Sequence, residues 1–129
     1  MAKRQSKYGS KKVTYDGMEF DSKKEMYRYI RLKSMQEEGL ISDLRMQVPF
    51  EIIPAVYEEE TVQLKTKVKT VTKCVQRAAY YVADFVYKDK DGNMVVEDVK
   101  GSSNILTSEF RLKMKLMRYV HGIQIKIYE

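Results

Sequence analysis

A chain of 129 residues, 43% of them hydrophobic, suits one domain with a buried core. Lys and Arg outnumber Asp and Glu by 24 to 18, a formal net charge of +6. That balance favours an anionic partner, nucleic acid first and an anionic membrane surface second, although no long apolar helix supports the second. One cysteine, Cys74, excludes an internal disulfide and fits a reducing, cytoplasmic compartment, and a lone histidine leaves a structural zinc site without ligands.

Residues 1–15 hold five basic residues and no acid. The first twelve predict a mobile basic arm, either a solubilising tail or a contact to DNA. No apolar stretch follows this basic start, so no secretory signal peptide is expected. Val13 to Phe20 reads as a short hairpin or extended entry turning at Asp16-Gly17. Ser22-Lys23-Lys24-Glu25 is a capping box and Gly39 a stop, which predicts a helix near 22–38. Its apolar arc is Met26, Tyr29, Ile30, Leu32 and Met35. Glu25 falls near the centre of that arc. It has two compatible readings, a capping carboxylate reaching back to Ser22 or a carboxylate pointing into the domain interior.

Leu44 to Ile53 predicts a strand ended by Pro54, in which Gln47 either faces the next hairpin or is an edge polar residue. Residues 61–77 carry five basic residues and no acid, with Val62, Leu64, Val68 and Val71 spaced between Lys and Thr. This predicts a protruding basic β-ribbon or an extended loop. Lys65, Lys67, Lys69 and Lys73 then form either a solvated face or a surface that grips a phosphate backbone. Cys74, beside Val75, is expected as a small apolar filler.

The segment that follows organises the chain. Tyr80 to Tyr87 and Met94 to Gly101 are rich in β-branched and aromatic residues, and Lys88-Asp89-Lys90-Asp91-Gly92-Asn93 carries an Asp-Gly turn signal. Both arms are apolar on both faces, as in a central strand pair covered on two sides. Asp84, Asp98 and Lys100 interrupt them, and buried charges require partners. A two-residue Asp91-Gly92 loop would put the aspartates on opposite faces. A type I turn from Asp89 with Gly92 as a left-handed bulge pairs Asp84 with Asp98 instead, and brings Lys100 to the same face across from Val82. Gly92 supplies the positive φ of that bulge, which favours the second register.

Gly101 to Asn104 is a loop. A second helix is expected from Thr107 or Ser108 to Gly122, with Phe110, Leu112, Met114, Leu116, Met117 and Val120 towards the sheet. Arg111, Lys113, Lys115 and Arg118 form its basic side. His121 at the helix end suits a capping or dipole role rather than catalysis. Ile123 to Tyr128 is a last alternating strand. Together the elements predict an α/β fold, a mixed central β-sheet flanked by helices.

The order helix with Glu25, strand, hairpin with Asp84 and then Asp98-Val99-Lys100, helix, strand resembles the PD-(D/E)XK nuclease superfamily. Ala83 stands where that pattern usually has proline. The chain is also similar to a family of small phage-encoded proteins carried as uncharacterised or as endonucleases by inference. The likeness lies in Lys7-Tyr8-Gly9-Ser10-Lys11-Lys12, Phe20-Asp21-Ser22-Lys23-Lys24-Glu25, Tyr81-Val82-Ala83-Asp84-Phe85 and Val96-Glu97-Asp98-Val99-Lys100-Gly101.

The resemblance implies a restriction-endonuclease-like core over residues 13–129. It further implies Mg²⁺-dependent hydrolysis of DNA phosphodiesters, with Mn²⁺ able to substitute and branched or junction DNA as a candidate substrate. Asp84, Asp98 and the Val99 carbonyl would supply metal ligands, and Glu25 a ligand to a second ion or an orienting group. Lys100 would act on the attacking water or on charge at the phosphate. Lys65, Lys67, Lys69, Lys73, Arg111 and Lys115 would contact the DNA. The partner is then DNA, with a homodimer left open and neither membrane nor small-molecule substrate expected. The rival reading is a non-catalytic nucleic-acid-binding phage accessory protein that keeps the fold.

Overall fold

In chain order the elements are β1 (Val13–Tyr15), β2 (Met18–Phe20), α1 (Lys23–Glu37), β3 (Ser42–Ile53), β4 (Val56–Gln63), β5 (Val68–Gln76), β6 (Ala79–Lys88), β7 (Met94–Val99), α2 (Ser108–His121) and β8 (Lys126–Tyr128). They come from a computed structural model, which describes residues 11–101 and 106–129. All but the last two residues of the expected basic arm, and most of the loop after Gly101, lie outside the described residues.

Four strands form a mixed sheet in the order β3-β6-β7-β8, antiparallel except for the β7–β8 pair. The β6–β7 turn sets its register. Asp89 N–H donates to Asn93 O, Gly92 N–H donates to Asp89 O, and Gly92 has a φ of 81° that costs glycine nothing. The ladder runs from Lys88↔Met94 to Phe85↔Glu97, so the next residues opposed are Asp84 and Asp98. That is the register the bulge predicts.

The helices cover opposite faces of the sheet. Tyr29 and Leu32 of α1 pack with Phe20, Ile41, Phe85 and Tyr87. Phe110 and Met117 of α2 pack with Ile52, Tyr81, Ala83, Val86, Val96 and Ile125. Both helices start as capped elements: Ser22 Oγ accepts Glu25 N–H at 3.1 Å, and Thr107 Oγ1 accepts Phe110 N–H at 3.0 Å.

Strand alternation breaks at one place on each of two neighbouring strands. On β3, Met46 packs on the α1 side and Val48 on the α2 side, although a period of two would keep them together. On β6, Ala83 and Phe85 part company in the same way. The residues between are Gln47 and Asp84, directly opposed in the β3–β6 register. Gln47 carries the break in its backbone, with a φ of 51° that non-glycine residues seldom adopt. Beyond this point β6 and β7 no longer form ladder pairs, and the expected pairing of Lys100 with Val82 is absent from the register.

The 61–77 stretch is a ribbon, not a loop, and it begins earlier than its basic residues suggest. β4 and β5 pair only with each other as a separate two-stranded sheet, and every residue of both strands except Val71 is at least largely exposed. Cys74 is therefore exposed rather than an apolar filler, with its Sγ 3.3 Å from Gln76 O. The α2 stripe is also narrower than its periodicity implied. Phe110 and Met117 are buried and Met114 and Leu116 half-buried, whereas Leu112 and Val120 are exposed. One sheet neighbour cannot cover an arc that wide.

Candidate active site

Asp98 lies on the α2 side of β7 and is buried. Its Oδ1 accepts the Tyr81 hydroxyl at 3.0 Å. Its Oδ2 pairs with Lys100 Nζ at 3.0 Å and has no hydrogen-bond partner among the described residues. A buried carboxylate oxygen so placed is costly. The Lys100 ammonium also sits 4.1 Å above the centroid of the Phe110 ring, so the first turn of α2 holds it beside Asp98.

Asp84 occupies the fork where β6 and β7 separate. Its Oδ2 accepts Val99 N–H at 2.8 Å, so a side chain replaces the ladder bond that the splayed strands no longer make. Its Oδ1 faces Gln47 Nε2 at 3.4 Å, and the same amide donates to Glu25 Oε1 at 3.1 Å. The first turn of α1 therefore delivers a buried carboxylate towards the fork, and one glutamine joins it to Asp84. Ser22 caps the helix with its hydroxyl, while the Glu25 carboxylate is turned to Gln47. Of its two sequence readings, the inward one describes that carboxylate.

The electrostatics follow from this crowding. Burial first, and then the charges of Asp84, Asp21 and Asp98, push Glu25 up to about 7, against the pull of the Gln47 hydrogen bond. Burial and then Asp98 push Asp84 up to about 7, opposed by Val99 N–H, Gln47 and Lys100. Tyr81 is raised by burial and by the Asp98 charge, which keeps its hydroxyl a donor. Among the described residues, three acids thus meet one close ammonium, and the surplus there is negative. Gln47 is exposed, so the cluster is open to solvent on that side.

Next to Asp98 stands a second acid that the sequence reading passed over. Glu97 is fully buried and points to the α1 side, where Arg28 Nε and Nη2 grip both its oxygens and the Tyr87 hydroxyl donates at 2.7 Å. The Arg28 guanidinium stacks 4.1 Å from the Tyr128 ring centroid. Burial, followed by Glu97, pushes Tyr87 up to about 12. The signal was present in the sequence. Consecutive acids in a doubly covered strand must face opposite sides, and Arg28 lies three residues after Glu25 on the same helix.

The expected nucleic-acid contacts are only partly gathered here. Arg111 follows Phe110 and is exposed on the first turn of α2, and Lys115 is exposed one turn further on. The ribbon lysines are carried on a separate sheet. Lys65 and Lys67 sit at its tip, but Lys69 and Lys73 share a face with Glu58 and Glu60, and Lys73 pairs with Glu58 across the strands. That ribbon face is mixed in charge, not basic; its two glutamates precede the 61–77 window. His121 stands at the end of α2 as expected, but its side chain ties the helix to β3 instead of capping it, with Nε2 2.7 Å from Glu51 O and the ring edge-on to Phe50.

Hard oxygen donors, two opposed aspartates with a surplus charge and an Asp98 Oδ2 that has an ion pair but no hydrogen bond fit a small divalent cation. Among the described residues, no three His, Cys, Asp or Glu side chains gather closely enough to cage an ion by themselves. Mg²⁺ does not require that, because it keeps several waters. Also among the described residues, no helix is long and apolar enough to cross a membrane.

The family model of DUF1064, a protein of unknown function, matches residues 5–127. Comparison with curated proteins and with solved structures finds no match.

Proposed function

Because the chain belongs to the DUF1064 family of unknown function, its chemistry has to be argued from the site itself, and we propose a metal-dependent DNA endonuclease with a PD-(D/E)XK-type core. One observation carries the reading: Asp84 and Asp98 meet at a fork in the central sheet with Lys100 as their close ammonium, and a buried Asp98 oxygen is left without a hydrogen bond. A purely structural ion pair would need one carboxylate and would satisfy it.

Asp84, Asp98 and the Val99 carbonyl would hold Mg²⁺ or Mn²⁺, with Glu25 close by through Gln47. Bound there, the cation supplies positive charge to a scissile phosphate. The protein groups do the rest. Tyr81 fixes one Asp98 oxygen and so directs the other towards Lys100. Val99 N–H fixes one Asp84 oxygen and leaves the other facing Gln47 and Glu25. Lys100, held over Phe110, orients the attacking water or offsets charge growing on the phosphate. Glu25, whose raised pKa lies near neutrality, accepts or returns a proton at its carboxylate. Arg111 and Lys115 hold the strand beside α2.

The test is digestion of supercoiled, linear, single-stranded and four-way-junction DNA with Mg²⁺, Mn²⁺ or EDTA. Metal-dependent cleavage is expected from the wild type. Asp84→Asn and Asp98→Asn should abolish it while DNA binding in EDTA persists. A wild type that binds DNA and cuts none of these substrates with either metal would be the non-catalytic accessory protein instead.

A further inference from the structure

The α1 side of the sheet is covered along only half its length. Up to the Gln47–Asp84 break, Leu44, Met46, Phe85 and Tyr87 lie beneath α1. Past it, the described residues on the same side belong to neither core cluster. Pro49 pairs with Val82 and Glu51 with Tyr80, and all four are exposed, Val82 at 46% and Tyr80 at 49%. The opposite side of these strands is packed under α2 through Val48, Phe50, Tyr81 and Ala83. The exposed floor therefore starts at the carboxylates. At roughly 3.3 Å per strand residue, Val82 lies about 7 Å and Tyr80 about 13 Å along β6 from Asp84.

The composition of this floor selects its occupant. It offers a tyrosine ring, a valine and a proline, and its one charge, Glu51, is negative. A duplex lying here would press phosphates against a surface with no cation. An unpaired strand can turn π-faces to the ring and the aliphatic groups and leave its phosphates towards solvent. The floor is also continuous with the proposed site, so a strand whose phosphate reaches Asp84 must cross or leave it.

We infer that the site takes single-stranded DNA, with bases on the 5′ or 3′ side of the scissile phosphate lying over Val82 and Tyr80. This rests on the nuclease reading. In that arrangement Tyr80 is a stacking residue that sets the choice of single strand over duplex, and it takes no part in the chemistry.

Binding of a fluorescein-labelled 20-nucleotide single strand and of its duplex is measured by anisotropy in EDTA, for wild type, Tyr80→Ala and Tyr80→Phe. The melting temperature and oligomeric state of each variant are recorded alongside. Tyr80→Ala should weaken single-strand binding about tenfold, change duplex binding by less than about twofold, and leave Tyr80→Phe near wild type. With Mg²⁺ added, cleavage of the single strand by Tyr80→Ala should show a raised KM with kcat kept. Equal weakening for both DNAs, no weakening at all, or a change of oligomeric state that marks the floor as a contact between copies would each overturn the inference. If the single-strand preference depends on Tyr80 but no metal supports cleavage, the platform stands as a binding site and the nuclease reading falls.

Discussion

Glu97→Gln separates the acid that builds the fold from the acid proposed for chemistry one residue later. The substitution keeps the shape of the side chain but removes its charge and turns one acceptor into a donor. Three donor groups now converge on Glu97, two from Arg28 and one from Tyr87, and the glutamine amide can accept at only one oxygen. The Arg28 side chain is 10% exposed, so its guanidinium would stay largely buried without a counter-charge. Breaking a buried pair in this way typically costs about 3–5 kcal/mol. For a domain of this size that is roughly 10–20 °C in Tm. Urea unfolding followed by circular dichroism gives the number, with the slope m expected unchanged. The double variant Arg28→Met with Glu97→Leu should recover much of the loss, because the charges leave together. Below the lowered Tm, Glu97→Gln should still cut DNA, since Glu97 faces away from Asp84. A loss under about 1 kcal/mol, or a double variant no better than the single one, would refute this account.

Asp84 and Glu25 are both pushed up to about 7, so the folded protein holds protons that the unfolded chain releases. Their contribution to stability is therefore best in acid and declines as pH rises from about 4 through 7; Asp84→Asn should exceed the wild type by on the order of 2 kcal/mol at pH 8 in EDTA, with the gap closing towards pH 4.5. If that variant melts well below the wild type at pH 8, the crowding of like charges is wrong. Gln47→Gly relaxes a φ of 51°, so Tm in EDTA should hold or rise, whereas cleavage and the Mg²⁺-dependent rise in Tm should fall about 10- to 100-fold in rate or affinity. Wild-type behaviour in both would make Gln47 a bystander. Replacing Lys65 and Lys67 by alanine should flatten the salt dependence of DNA binding by up to about two slope units, whereas Lys69 and Lys73, sharing a face with Glu58 and Glu60, should change it little. The reverse order would return the gripping surface to the ribbon strands.

Local chemistry made several features legible in the sequence. Gly92 after Asp89-Lys90-Asp91 dictates a bulged turn, and from it the opposition of Asp84 and Asp98 follows by counting. Ser22 and Thr107 announce the helix starts for the same reason. Features that depend on two distant segments agreeing were hidden. No pattern within β3 or β6 alone shows that both change faces at Gln47 and Asp84: β3 alternates without a break from Leu44 to Ile52, which reads as one apolar face, and β6 reads as apolar on both sides. The ribbon escaped for a different reason. A window drawn around lysines starts after Glu58 and Glu60, and only the β4–β5 pairing shows that these acids share a face with Lys69 and Lys73. Leu112 and Val120 were assigned to the core by periodicity, which records hydrophobicity but not the width of the surface that covers it.

The bond from Val99 N–H to Asp84 has a spectroscopic consequence. An amide in a sheet interior normally answers to a neighbouring backbone carbonyl, whose charge never changes. Here it answers to a carboxylate that titrates near neutrality and faces the proposed cation. The ¹H and ¹⁵N shifts of Val99 should therefore move with pH and with added Mg²⁺ while the amides of Val96 and Val95, three and four residues back along β7, stay still. A single resonance in the middle of the fold would read the state of the site directly, without DNA and without turnover.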